Sequence, residues 1–139
     1  MRLSFLILLL VPGSILSGQK DTYEAARLKM VEIQIAARGI TDVATLRAMK
    51  KVPRHLFMPA ASARNAYSDG PEPIGYGQTI SQPFIVAYMT EVAKPARGKT
   101  ALEIGTGSGY QAAVLAEIID TVYTIEIVPE LAREASARL

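Results

Sequence analysis

The sequence predicts an α/β fold built on a parallel, doubly wound sheet, and three observations predict it. The first is Leu102-Glu103-Ile104-Gly105-Thr106-Gly107-Ser108-Gly109-Tyr110, which reads as a buried strand, a glycine turn and the start of a helix. The second is Val122-Tyr123-Thr124-Ile125-Glu126, an apolar run ending in an acid, about 20 positions after the glycines. The third is helical periodicity upstream of both, so the chain reads as N-terminal helices followed by the first half of such a sheet.

The turn has a physical logic. Gly105 and Gly107 can adopt backbone angles closed to residues with a Cβ and let a ligand approach the main chain. Gly109 lets the following helix pack near the strand. The spacing is G-x-G-x-G, not the G-x-G-x-x-G of a dinucleotide fingerprint. Glu103 stands two residues before the first glycine, where a carboxylate is poorly placed beside a pyrophosphate. It suits a ligand with a cationic end, such as an amino-acid ammonium. That points to S-adenosylmethionine ahead of NAD, with Glu126 accepting hydrogen bonds from the ribose hydroxyls. The alternative is a glycine-rich turn in an ordinary α/β protein, with Glu126 as a solvated acid at a strand end.

Composition narrows the remaining classes. Half of the 139 residues are hydrophobic and 20% are charged, as expected of a folded globular chain. The net charge of +2, without a basic cluster interleaved with aromatics, gives no indication of nucleic-acid binding. With no cysteine and one histidine, a disulfide framework, a thiol nucleophile and a Cys/His zinc site are excluded, and no metal site is expected. His55, in Val52-Pro53-Arg54-His55-Leu56-Phe57, reads as structural, because no serine or carboxylate beside it suggests a triad.

In chain order, residues 1–18 read as a secretory signal peptide. Arg2 precedes the apolar run Leu3 to Val11, Pro12-Gly13 breaks it, and Ser17-Gly18 supplies small residues. The run is too short for a comfortable membrane span, so no stable anchor is expected. Export to the periplasm or beyond is the favoured reading and a cytoplasmic protein the alternative. Thr22 to Arg38 reads as a helix, capped by Asp21 or Thr22, with Leu28, Val31 and Ile35 on one face and Gly39 ending it. Thr41 can cap a second helix to about Lys51, with Val43, Leu46 and Met49 as its stripe and Val52-Pro53 as its stop. A short helix is expected from Ala60 to Tyr67, then a Gly/Pro-rich loop from Ser68 to Gln82. Ser81 can cap a helix that starts at Pro83 and runs to about Ala93. At a helix start, its hydroxyl and the nearby amides could also meet an anionic ligand such as a carboxylate. The β-α-β unit follows over Thr100 to Glu126, and a last helix starts near Pro129. Two clear parallel strands cannot bury both faces of a doubly wound sheet, so either a partner completes the sheet or the sequence is a fragment. The second is simpler, and residues 19–139 read as one domain incomplete at its C-terminus.

Four stretches carry a resemblance: RGITDVATLRAMKKVPRHLFMP, GYGQTISQP with IVAYMTE after it, ALEIGTGSGYQAAVLA, and VYTIEIVPELA. Together they resemble the protein-L-isoaspartate O-methyltransferases over essentially all of the chain from about Leu28 onward. The resemblance implies a class I, Rossmann-like fold that uses S-adenosyl-L-methionine. It implies methyl transfer to the α-carboxyl of L-isoaspartyl residues in damaged proteins, after which the ester cyclises to a succinimide whose opening restores some aspartate. It places the active-site serine at Ser81, with Thr79, Ile80 and Ser81 between methyl donor and substrate. Glu103, Gly105, Thr106, Gly107 and Gly109 match the cofactor loop and Glu126 the ribose-binding acid. Some members have a histidine where this chain has Phe84, and a later acidic Asp-Gly loop is absent. Two alternatives stand beside this reading: a class I methyltransferase acting on a small molecule, and a non-catalytic truncated remnant.

Overall fold

The computed structural model describes residues 22–139 and the backbone of Ile7 and Leu8. Most of the proposed signal segment, and Asp21 as a cap, lie outside the described residues. Strand β1 is Ile7–Leu8. A continuous helical run then changes its hydrogen bonding twice: α1 over Glu24–Met30, a π-helical turn over Val31–Ile35 and a 3-10 turn over Ala36–Arg38. Gly39, at φ 100°, ends the run in a conformation that glycine tolerates best. The helix is where the sequence places it, but its face and cap differ. Tyr23 is the cap position, with no side-chain hydrogen bond to the helix's first amides, so Thr22 does not cap. Arg27, Met30, Val31 and Ile35 are buried, whereas Leu28 is 42% exposed.

Helix α2 is Val43–Lys51 and Asp42, not Thr41, caps it: Asp42 Oδ2 accepts from the Thr45 amide at 2.7 Å. The Thr41 and Asp42 amides instead donate to Glu91 Oε1, at 2.8 and 2.7 Å. The start at Val43 leaves that residue 76% exposed, and the buried side is Thr45, Ala48 and Met49. Val52 is extended and ends the helix, as the following proline requires. The helix expected over Ala60–Tyr67 reduces to turns around one 3-10 turn, Ala63–Asn65.

The Gly/Pro-rich segment is a hairpin. Strand β2, Glu72–Gly75, pairs antiparallel with β3, Gln78–Ile80, through Glu72↔Ile80 and Pro73↔Thr79. Gly75, Tyr76 and Gly77 all have positive φ, 92°, 53° and 69°, which reverses the chain tightly at the tip. Helix α3 is Pro83–Ala93, with Pro83 in its first turn. Its cap position is Gln82, so Ser81 is not the cap. Gln82 turns its side chain away instead, with Nε2 donating to Asp69 Oδ1 at 2.6 Å.

The β-α-β unit is β4 (Thr100–Ile104), α4 (Tyr110–Ala116) and β5 (Thr121–Ile125), and α5 covers Pro129–Arg138. Strands β4 and β5 are parallel, with Glu103 opposite Thr124 and Ile104 opposite Ile125. Strand β1 pairs antiparallel with the other edge of β5. Alternation gives the sheet two unequal faces. Val122 and Thr124 are buried on the face that also carries Glu103, while Leu102 and Ile104 on the opposite face are 60% and 82% exposed. The core joins Met30, Ile35, Met49, Val86, Val114 and Leu131, so helices and sheet share one apolar interior.

Candidate functional site

Strand β4 ends at the glycine turn because Gly105 and Gly107 take φ of 93° and 54°, and Gly109, at 89°, starts α4. The turn folds over the end of β5: the Gly105 and Thr106 amides both donate to the Ile125 carbonyl, at 2.7 and 3.1 Å. The Gly109 amide donates to the Thr106 carbonyl at 2.8 Å, and the Gly107 amide to Glu126 Oε2 at 2.7 Å. These four amides are therefore satisfied inside the protein. A pyrophosphate loop needs its amides directed at the ligand, so this geometry agrees with the argument against a dinucleotide.

Gly109 has a different neighbour from the one expected. A Cβ there would lie 3.1 Å from Leu139 Cδ1 and 3.6 Å from Ala135 Cβ, so it is α5, not the strand, that packs close. At Gly105 nothing lies within 4 Å of the Cβ position, and the main chain is open to a ligand. Gly107 faces Ile74 Cδ1 at 3.5 Å, so the hairpin covers one side of the turn.

The acids lie on either side. Glu126 is held by three amides, from Gly107 to one carboxylate oxygen and from Ile127 and Val128, at 2.9 Å each, to the other. A carboxylate has about four acceptor positions, so capacity remains for a hydroxyl. Glu103 accepts from the Thr124 hydroxyl at 2.5 Å, and the Thr124 and Thr106 hydroxyl oxygens are also 2.5 Å apart. Burial pushes the Glu103 carboxyl up to about 7; the Thr124 hydrogen bond acts in the opposite direction, and the Glu126 charge adds to the rise. A half-buried carboxylate at an open turn, with an acid and, among the described residues, no base acting on it, fits a cationic ligand group.

Glu103, Gly105, Thr106, Gly107, Gly109 and Glu126 thus converge on one turn. The hairpin residues reach it less directly. Ile80 is buried in the core, and Thr79 and Ser81 are exposed on the segment leading into α3. Phe84 lies under the Arg38 guanidinium, 4.1 Å from the ring centroid, and stacks on Tyr88. His55 has a packing environment, stacked on Tyr23 with centroids 4.4 Å apart and its Nδ1 2.8 Å from the Tyr67 hydroxyl. No group of three metal-ligating side chains occurs among the described residues. Thr124 is the residue that reading the sequence for motifs passes over. Its signal is a hydroxyl on the buried face of β5, in step with Val122.

A parallel β-α-β unit with one acid before the glycine turn and another after the second strand defines a Rossmann-like cofactor domain of the class I methyltransferase type. Comparison with known proteins is more specific. The model of the protein-L-isoaspartate(D-aspartate) O-methyltransferase family matches residues 25–139, and the chain belongs to that family. A protein-L-isoaspartate O-methyltransferase of Opitutus terrae is 57% identical over 138 residues, covering 99% of this chain and 59% of that protein. One from Gloeobacter violaceus is 61% identical over 110 residues, covering 79% and 54%. The chain therefore spans somewhat over half the length of the curated relatives it matches. Among solved structures, a protein-L-isoaspartate O-methyltransferase superposes with TM-score 0.66 at 26% identity, over 81% of this chain and 37% of that one. A Plasmodium falciparum protein described as a putative member, in complex with S-adenosyl-L-homocysteine, gives 0.65 at 26% identity, over 81% and 54%.

Proposed function

We propose that this chain holds S-adenosyl-L-methionine at its glycine turn and serves methyl transfer to the α-carboxyl of isoaspartyl residues in damaged proteins. The observation that carries the reading is the pair of acids around a turn in which the Gly105, Thr106, Gly107 and Gly109 amides are already satisfied. Glu103 leads into the turn with no cation among the described residues acting on it, and Glu126 lies beside Gly107. Family membership supports the same reading. Residues 19–139 would belong to the methyltransferase domain, and the acceptors are proteins or peptides bearing isoaspartyl residues.

The chain's residues would have modest chemical tasks. The bound cofactor supplies an activated methyl group. An acceptor carboxylate is already ionised at neutral pH, so no strong base is required. The protein must align the acceptor oxygen with the methyl carbon and exclude water. Glu103 would hold the cationic end of the cofactor and Glu126 its ribose, with Gly105 giving close approach. Ser81, exposed where β3 leads into α3, would orient the acceptor as a hydrogen-bond donor, with Thr79 and Ile80 beside it. Incubation with methyl-labelled S-adenosylmethionine tests this: label should enter an isoaspartyl peptide and not its aspartyl twin. Equal labelling of both, or of a small acid alone, would overturn the substrate assignment.

Cofactor binding without turnover is the second reading, favoured by the open sheet face at Leu102 and Ile104. It predicts retention of cofactor with no label in either peptide. We also propose that residues 1–18 direct export. The supporting features are the basic start, the apolar run and the small residues that follow. Fractionation of cells making the chain with and without residues 1–18 tests it; identical distribution would contradict export.

A further inference from the structure

We propose that Thr124 is a positioning residue, whose hydroxyl bridges Thr106 and Glu103 and holds the Glu103 carboxylate at the glycine turn for the cationic end of the cofactor. The inference rests on the cofactor reading above and extends it to a residue with no assigned role. Its basis is the strand register. Glu103 and Thr124 are direct partners in the parallel pair, so their side chains leave the same face of the sheet side by side. Thr106 returns over the end of β5, where its amide reaches the Ile125 carbonyl, and that brings a second hydroxyl onto Thr124.

The three groups form an ordered chain. Thr124 has one hydroxyl proton, and it goes to Glu103 Oε2 at 2.5 Å. Thr124 must then accept from Thr106, whose oxygen is also 2.5 Å away. Both threonines are nearly buried, so water does not readily replace either bond. A charge-assisted hydrogen bond in such a place is stronger than a neutral one. It opposes the burial that pushes the Glu103 carboxyl up and so keeps part of its charge available near neutral pH. Among the described residues, the charged groups nearby leave this task to the hydroxyl. Glu126, beyond β5, has the same sign as Glu103. Arg138, from α5, reaches the Ser108 carbonyl at 3.5 Å but is paired with Glu134 at 3.0 Å.

The test combines Thr124→Val, Thr124→Ser and Glu103→Gln in the full chain, each first checked for folding by thermal melt. Carbon-detected NMR of the free proteins follows the Glu103 carboxyl, and calorimetry follows S-adenosyl-L-homocysteine. Thr124→Val should raise the Glu103 titration midpoint and weaken the ligand about tenfold, as loss of a hydrogen bond to a charged group does. Thr124→Ser should restore both. In the Glu103→Gln background Thr124→Val should cost little further affinity, because the carboxylate through which it acts is gone. Should Thr124→Val fail to fold, Thr106→Val tests the other end of the chain, with the same direction expected. An unmoved midpoint, or an equal loss in the Glu103→Gln background, would overturn the positioning role and leave the cofactor reading intact. Absence of ligand binding by the wild-type chain would overturn both.

Discussion

Glu103 combines two demands that conflict in the free protein. Its carboxyl is raised from 4.5 to about 7 mainly by burial, so the folded state binds a proton more tightly than the unfolded chain does. Between those values the unfolded chain has already released its proton, and stability falls as pH rises. Below 4.5 the penalty is absent; above about 7 it is complete. Glu103→Gln should therefore melt at higher temperature than wild type at pH 8 and close to it at pH 4, as differential scanning calorimetry would show. The opposite order would mean that the carboxylate has a cationic partner in the free protein. Gly109 shows a second local constraint. At φ 89°, with Leu139 3.1 Å from the Cβ position, alanine there is strained both in backbone and in space. Gly109→Ala should cost roughly 1–3 kcal/mol in chemical denaturation. A cost near zero would show that α5 shifts freely.

The elements differ in how far their residues announce them. Helix α3 was legible at both ends because Pro83 is pre-set for a first turn and Pro95 and Gly98 mark the turn after it; the structure closes the last turn with Lys94 at φ 48°. The β-α-β unit was legible because the glycines sit where the apolar alternation stops. The hairpin was not: its strands are three and four residues long, one contains Pro73, and its Gly75-Tyr76-Gly77 tip reads as loop. Nor was the π turn in the first helical run, where no glycine or proline marks the change and Met30, Val31 and Ile35 are buried in the core. The turn residues of the site announced themselves, but Thr124 did not, because its role depends on which strand pairs with which. Three predictions belong here. Asp42→Ala removes the cap of α2 and should cost about 1 kcal/mol. Leu131→Ala, at a buried position of α5, should cost roughly 2–5 kcal/mol. Ile104→Ala, on the open sheet face, should cost well under half of that, and equal losses would show that this face is covered in solution.

At the scale of the molecule, three parts meet at one turn. The sheet supplies Glu103 and Thr124, the segment after β5 supplies Glu126, and the hairpin closes over Gly107 through Ile74. The hairpin tip is tied to α5 by the Tyr76 hydroxyl, which donates to Glu134 at 3.2 Å. Thus the segment carrying Ser81 and the turn carrying the acids are linked parts of one body. Among the described residues no helix is long and apolar enough to cross a membrane. The central claim is that the turn between Glu103 and Glu126 is a site for S-adenosylmethionine. Calorimetric titration of the 139-residue chain with S-adenosyl-L-homocysteine, at pH 6 and pH 8, tests it most directly. Binding should strengthen from pH 6 to pH 8 as Glu103 ionises, and Glu103→Gln should weaken it and remove that pH dependence. No binding at either pH, or a Glu103→Gln protein that binds as wild type does, would contradict the account.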